Sequence, residues 1–229
     1  MRDSFPRLEN EIVSCELCPR LREWCTSVAA KRRRAYLHET YWGRPVPGFG
    51  DPHAQLLVLG LAPGAHGANR TGRVFTGDPS GDWLFRAMHE AGFANQPTSV
   101  HRQDGLALLN AWVSASVRCA PPDNKPVPAE IAACRPYFER ELALLVNLRC
   151  IVALGRLAFD NYLSVLRARG LDAPRSAFPF AHLAEFHPAP GTPVLLASYH
   201  PSQQNTSTRR LTRDILAAVF HRAAAIIRE

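Results

Sequence analysis

The chain has 229 residues, with 27 lysines and arginines against 20 aspartates and glutamates, a formal charge of +7. Hydrophobic residues make up 46% and charged residues 21%, which excludes a disordered chain and allows a sizeable buried core. No apolar run approaches the roughly 20 residues a membrane helix needs, and the start, Met1-Arg2-Asp3-Ser4-Phe5-Pro6, lacks the apolar centre of a secretory signal. No membrane association and a cytoplasmic location are therefore expected.

Residues 1–50 read as an N-terminal extension. Gln55–Leu61 (QLLVLGL) is the first predicted strand, and Ser80–Ala91 the helix after it. A strand is expected over Leu106–Val117 and a helix over Pro128–Asn147, where Ile131, Tyr137, Phe138, Leu142 and Leu145 share one face and Pro128 takes a favoured helix start. Cys150–Leu154 (CIVAL) is the third strand, Leu157–Arg169 its helix, and Val194–Tyr199 (VLLASY) the fourth strand. Between these last two, Pro174–Pro193 reads as a long loop with room for a short strand. Leu211–Arg228 closes the chain, with Leu211, Ile215, Val219, Phe220, Ala223 and Ile227 as its apolar stripe. Near-continuous apolar strands suit a sheet covered on both faces. Alternating strands and helices predict one α/β domain over residues 1–229, a three-layer α/β/α sandwich around a four-stranded, mainly parallel sheet.

Three unusual segments follow the carboxyl ends of predicted strands: Pro63–Gly67, Cys119–Lys125 and His200-Pro201-Ser202. In open α/β sheets the ligand crevice forms at that edge, so they should converge on one cleft. A computed isoelectric point near 9.4 is a weak pointer to a polyanionic partner.

Six cysteines in a chain without a secretory signal argue against a disulfide framework. Cys15 and Cys18 form a C-x2-C pair, and Cys119 and Cys134 lie fifteen positions apart. Four thiolates suit zinc or an iron–sulfur cluster, and spacing alone does not choose between them. Cys150 begins an apolar strand and Cys25 has no close sequence partner, so both read as ordinary small buried residues.

The stretch Gly60–Asp78, GLAPGAHGANRTGRVFTGD, is dense in glycine but matches neither a phosphate-binding P-loop nor a G-x-G-x-x-G turn. With RCAPPDNKP and HPSQQN, it resembles the uracil-DNA glycosylase superfamily, specifically its family 5, from Cys15 to about Thr212. That resemblance implies excision of uracil, and of other deaminated bases such as hypoxanthine, from DNA. It also implies a 4Fe–4S cluster held by Cys15, Cys18, Cys119 and Cys134, with the N-terminal extension contributing the first pair. Family 4 relatives carry an acidic residue where Leu61 stands, and the proposed assistance in family 5 maps onto Asp78.

Under this resemblance Asp78, Asn124 and His200 are the catalytic candidates. Asp78 would orient water towards the sugar and stabilise its cationic character; it would also serve as the N-cap of the following helix. Asn124 offers a donor and an acceptor to the base edge. His200 would donate to the carbonyl oxygen of the departing base, where charge develops. Phe75 would stack on the extruded base, with Gly60, Leu61, Ala62, Pro63 and Gly64 forming its pocket. Ser202, Gln203, Asn205, Arg209 and Arg210 are the expected DNA contacts, although the family often has glycine where Arg209 stands. The run Lys31-Arg32-Arg33-Arg34 could bind phosphates, as could Lys125. No lysine sits within the three motifs otherwise, so hydrolysis without a Schiff base is expected. The expected partner is double-stranded DNA, with single-stranded DNA a further candidate, and the protein is expected to be a monomer. The competing readings are an electron-transfer protein and an iron–sulfur or zinc protein that binds nucleic acid without glycosylase activity.

Overall fold

The computed structural model describes residues 3–229. Two helices come first, α1 (Phe5–Val13) and α2 (Pro19–Lys31), followed by the two-residue strand β1 (Phe49–Gly50). The central alternation is β2 (Leu56–Gly60), the single turn α3 (Ala68–Thr71), α4 (Pro79–Glu90), β3 (Ala111–Ala115), α5 (Pro128–Leu144), β4 (Cys150–Leu154) and α6 (Arg156–Ala168). The chain closes with β5 (Glu185–Phe186), β6 (Val194–Ser198), the short α7 (Gln203–Ser207) and α8 (Arg213–Arg228).

The sheet runs β1-β3-β2-β4-β6-β5. Its four central strands are parallel, with Val58 opposite both Val113 and Val152, and Val152 opposite Leu196. The two short edge strands pair antiparallel, so the sheet is mixed and six-stranded around the expected parallel core.

Side chains alternate across a strand, and here both faces are apolar. Leu56, Val58, Val113, Val152 and Leu196 face one way, onto Leu84, Phe85 and Met88 of α4 and Val219, Phe220 and Ala223 of α8. Leu57, Leu59, Ile151, Ala153 and Leu195 face the other way, onto Phe138 of α5 and Phe159, Tyr162 and Leu163 of α6. Fully burying each of the larger aliphatic side chains is worth about 1.5–3 kcal/mol, and this two-sided burial produces the three layers.

Some expectations require correction. The second strand begins at Ala111, not Leu106, because Asn110 takes a left-handed backbone (φ 52°). Its side chain instead receives the Gln55 N–H at 2.8 Å and donates to Gln55 Oε1 at 2.8 Å. The buried face of α5 is Glu130, Cys134, Phe138 and Glu141, not one through Tyr137 and Leu142. Both carboxylates are buried because arginines meet them: Arg118 lies 2.8 Å from Glu141, and Arg20 lies 2.7 Å from Glu130. The closing helix starts at Arg213, after the N-cap Thr212, and its face buries Leu216 and Ile226 more fully than Ile215 and Ile227. The N-terminal extension is helical and docked. The Phe5 ring lies 4.4 Å from that of Trp112, and Arg140 of α5 pairs with Asp3 and Glu11.

Candidate active site at the carboxyl edge of the sheet

The segments leaving β2, β3 and β6 do converge. They wall a cleft of about 740 Å³ lined by Leu61, Ala62, Gly64, Phe75, Asp78, Asn124, His200, Ser202, Gln203, Asn205 and Arg210, among others. Gly60 and Pro63 stand behind this lining. Arg209 lies outside it and exposed, with a left-handed backbone (φ 57°), the conformation in which glycine is most readily accommodated.

Phe75 is 8% exposed, and its own backbone is left-handed (φ 54°). The ring seats directly on Gly60, where a Cβ would stand 2.8 Å from it. Arg73 and Asp104, both buried, hold the adjoining backbone. Arg73 Nη2 donates to both Asp104 oxygens at 2.8 Å and to Ser99 Oγ at 2.8 Å, while its Nε reaches Thr76 Oγ1 at 3.0 Å. Arg70 stitches the same loop by donating to His66 O at 2.8 Å and Gly77 O at 2.7 Å.

Asp78 divides its two oxygens between two tasks. Oδ1 accepts the Gly81 N–H at 3.0 Å and caps α4. Oδ2 lies in a cradle that only glycine permits, since a Cβ on Gly67 would stand 1.9 Å from it and one on Gly64 3.2 Å. Burial pushes its carboxyl pKa up; the Gly81 and Ser80 amides and the Arg70 charge oppose that shift, while Asp82 adds to it.

His200 follows β6, and Asn205 Nδ2 fixes its backbone by donating to His200 O at 2.8 Å. Gly155 (φ 91°) clears space behind it, because a Cβ there would stand 3.2 Å from the His200 Cβ. The imidazole lies 5.8 Å from the Phe75 ring, inclined by 34°. Burial lowers its pKa to about 4, so the ring is neutral near pH 7 and one nitrogen carries an N–H that can donate a hydrogen bond. Asn124 reaches the cleft from an exposed turn in which both Asp123 (φ 53°) and Asn124 (φ 57°) are left-handed.

The sequence model of the Uracil DNA glycosylase superfamily matches residues 47–223. The chain belongs to this superfamily. It is 51% identical over 212 residues to a type-5 uracil-DNA glycosylase of Thermus thermophilus, a match covering 93% of each chain. A Mycobacterium tuberculosis protein of the same description is 48% identical over 216 residues, covering 93% of this chain and 79% of that one. A type-4 uracil-DNA glycosylase of Sulfurisphaera tokodaii is 28% identical over 177 residues.

The superfamily match includes the cleft residues and the Cys119–Cys134 pair, while Cys15 and Cys18 lie before it. Among the described residues no disulfide joins any of the six cysteines. Among the described residues, no three His, Cys, Asp or Glu side chains are placed to enclose a single metal ion. Cys15, Cys18, Cys119 and Cys134 nevertheless share one region. Burial, followed by the neighbouring thiols, pushes the Cys18 pKa up to about 11. Burial also raises Cys134 to about 11, with Cys119 and Cys15 contributing. Two arginines provide a test of fit. Arg22 acts on Cys119 and Arg118 on Cys134, while Arg22 Nη1 and Arg118 Nε are buried without a hydrogen-bond partner. An unpartnered buried donor costs about 1–3 kcal/mol, and anionic sulfur beside it would relieve that cost. The donor set therefore fits a thiolate-ligated group. Cys25 is buried as expected but is not isolated: it packs beside Cys119, and its thiol reaches Ala120 O at 3.4 Å.

Sequence reasoning missed a fourth segment, Gly155-Arg156-Leu157 after β4, which also lines the cleft together with Phe180 and Tyr199. Its signal was the carboxyl-edge rule itself, applied to only three of the four strands. Lys31–Arg34 are exposed at the end of α2 and do not line the cleft. The Arg33 N–H reaches the Tyr41 hydroxyl at 3.3 Å, and that hydroxyl lies 3.1 Å from His66 Nδ1 in the glycine-rich loop.

Proposed function

We propose that this protein is a DNA repair hydrolase that removes uracil by cleaving its N-glycosidic bond and leaves an abasic site. The observation that carries this reading is the convergence of Phe75, Asp78, Asn124 and His200 on one cleft in a member of this superfamily. The bond is inaccessible inside a duplex, so the nucleotide is first swung out of the stack.

Phe75 provides a rigid face for the base, and the exposed Asn124 amide pairs with its edge. His200 is neutral, so it polarises the base carbonyl by donating a hydrogen bond, not by presenting a cation. A fixed donor to a developing oxyanion is worth roughly 10²–10³ in rate. Asp78 holds its second oxygen in the glycine cradle, where it orients water and stabilises positive charge on the sugar. Among the described residues no lysine lines the cleft, which favours hydrolysis without a covalent intermediate. The cleft of about 740 Å³ leaves room for a purine, and hypoxanthine is the proposed second substrate.

The cofactor reading is a 4Fe–4S cluster on Cys15, Cys18, Cys119 and Cys134, with Arg22 and Arg118 beside its sulfurs. When bound it would crosslink the N-terminal helices to the end of β3 and to α5. The protein is proposed to act as a monomer on double- and single-stranded DNA. Incubating uracil-containing duplex and single strands with purified protein, then with alkali, should cleave the strand at the uracil. Absence of cleavage on uracil and hypoxanthine substrates alike would overturn the reading.

A further inference from the structure

Beyond Phe75 and His200, the cleft wall carries four side chains in a continuous ladder. The Arg156 guanidinium carbon lies 5.9 Å from the Phe180 ring centre. The Phe180 and Tyr199 ring centres are 6.2 Å apart, inclined by 49°. The Arg210 guanidinium carbon then lies 4.3 Å over the Tyr199 ring. All four line the same cleft, and the neighbouring Leu157 is 53% exposed on that wall.

An extruded base placed between Phe75 and the His200 donor does not require this second aromatic surface. Tyr199 directly precedes His200 in the chain, so the ladder begins where the reacting site ends. Phe180 and Tyr199 are only half-buried. Arg156 pairs through Nε with Asp160 at 3.0 Å, which leaves its other nitrogens for a phosphate, and Arg210 makes no ion pair among the described residues. Adjacent aromatic faces flanked by guanidinium groups suit single-stranded nucleic acid, because any base can stack on such a surface and phosphates pair with the cations.

We propose that this ladder is a second nucleotide site, which stacks the base next to the extruded nucleotide in the same strand. It rests on the glycosylase reading and deepens it: the substrate is held as a locally single-stranded dinucleotide rather than as one flipped base.

The test uses single-stranded uracil oligonucleotides in which the neighbour on one side or the other is intact or replaced by a baseless tetrahydrofuran residue. For the wild type, removing the neighbouring base on the ladder side should raise KM and the dissociation constant about tenfold, the scale of one stacked base, with kcat little changed. Phe180→Leu keeps an apolar contact with Phe159 and should lose most of that discrimination. Arg156→Ala, at an exposed position, should reduce it as well and reads the same coupling if Phe180→Leu folds poorly. Equal binding of intact and baseless neighbours by the wild type, or the same penalty in both variants, overturns the proposal. Fluorescence anisotropy measures the coupling without turnover. Discrimination in binding without uracil release would therefore overturn the glycosylase reading and leave the ladder standing.

Discussion

Replacing Asp78 should separate its two roles, because Oδ1 caps α4 while the proposed water-orienting role falls to Oδ2. Asp78→Asn retains an oxygen that can accept the Gly81 N–H, now 3.0 Å from Oδ1, and asparagine caps helices about as well as aspartate. It loses helix-dipole stabilisation of roughly 0.3–1 kcal/mol but no longer buries a carboxylate whose ionisation burial already disfavours. Its melting temperature should therefore stay close to that of the wild type. Asp78→Ala loses the cap, a cost of about 1 kcal/mol, or roughly 2–4 °C in a chain of this size. Both variants lose the group that orients water, so single-turnover cleavage of a uracil duplex should slow by about 10²–10⁴ in each. Binding of the same duplex, measured by anisotropy, should be preserved in Asp78→Asn. Wild-type turnover by Asp78→Asn would refute a catalytic carboxylate and leave only the cap. A cooperative loss of structure in Asp78→Asn would refute the division of labour.

The pH–rate profile should show one acid limb, lying above the ordinary carboxylate range. In the proposed mechanism the charged form of Asp78 is the active one, and burial raises its pKa, so activity should fall as pH drops through that value. His200, with a pKa near 4, should add no inflection where a free histidine titrates; a limb near pH 6.5 that disappears in His200→Ala would contradict its neutral state. Arg209→Gly relieves a left-handed backbone worth about 1–2 kcal/mol, partly offset by a freer unfolded chain. Urea denaturation should therefore show unchanged or higher stability, and a clear loss would mean that the Arg209 side chain carries contacts. Purified protein should contain iron and acid-labile sulfide, and Cys18→Ser or Cys134→Ser should lower both while Cys150→Ser retains them. A colourless, zinc-loaded wild type would exclude the cluster.

Local pattern revealed what local physics determines. The strand Cys150–Leu154 is read to the residue because its apolar run is bounded by Arg149 and by Gly155 in a glycine-favouring conformation. The second strand is read too long because Asn110 leaves the extended conformation for a side-chain pairing with Gln55, a partner 55 positions away that periodicity does not reveal. Both N-terminal helices were legible in principle: Leu8 and Ile12, then Leu21, Cys25 and Val28, stand at helical spacing and are all buried. In the site, the motifs and the carboxyl-edge rule located the cleft. They did not reveal what holds it in shape. Arg73 meets Asp104 across 31 positions, and the ladder joins Arg156, Phe180, Tyr199 and Arg210 from separate segments.

The same distinction explains how α2 supports the cleft without lining it. Asn124 presents its amide from a turn with two successive left-handed residues, Asp123 and Asn124, a conformation these two residue types tolerate better than other side chains but that remains less favourable than the right-handed one. Such a turn persists only when both its ends are fixed, and α2 helps to hold both. On the side leading into the turn, Leu21 and Cys25 pack with Cys119 and Cys134 in one buried cluster. On the side leading out, Arg20 donates to Lys125 O at 3.3 Å while its Nε and Nη2 reach Glu130 at 2.8 and 2.7 Å. Glu130 in turn accepts the Val127 N–H at 2.8 Å and caps α5. A group held by the four cysteines, as proposed, would therefore be coupled to the cleft through the backbone between Cys119 and Asn124.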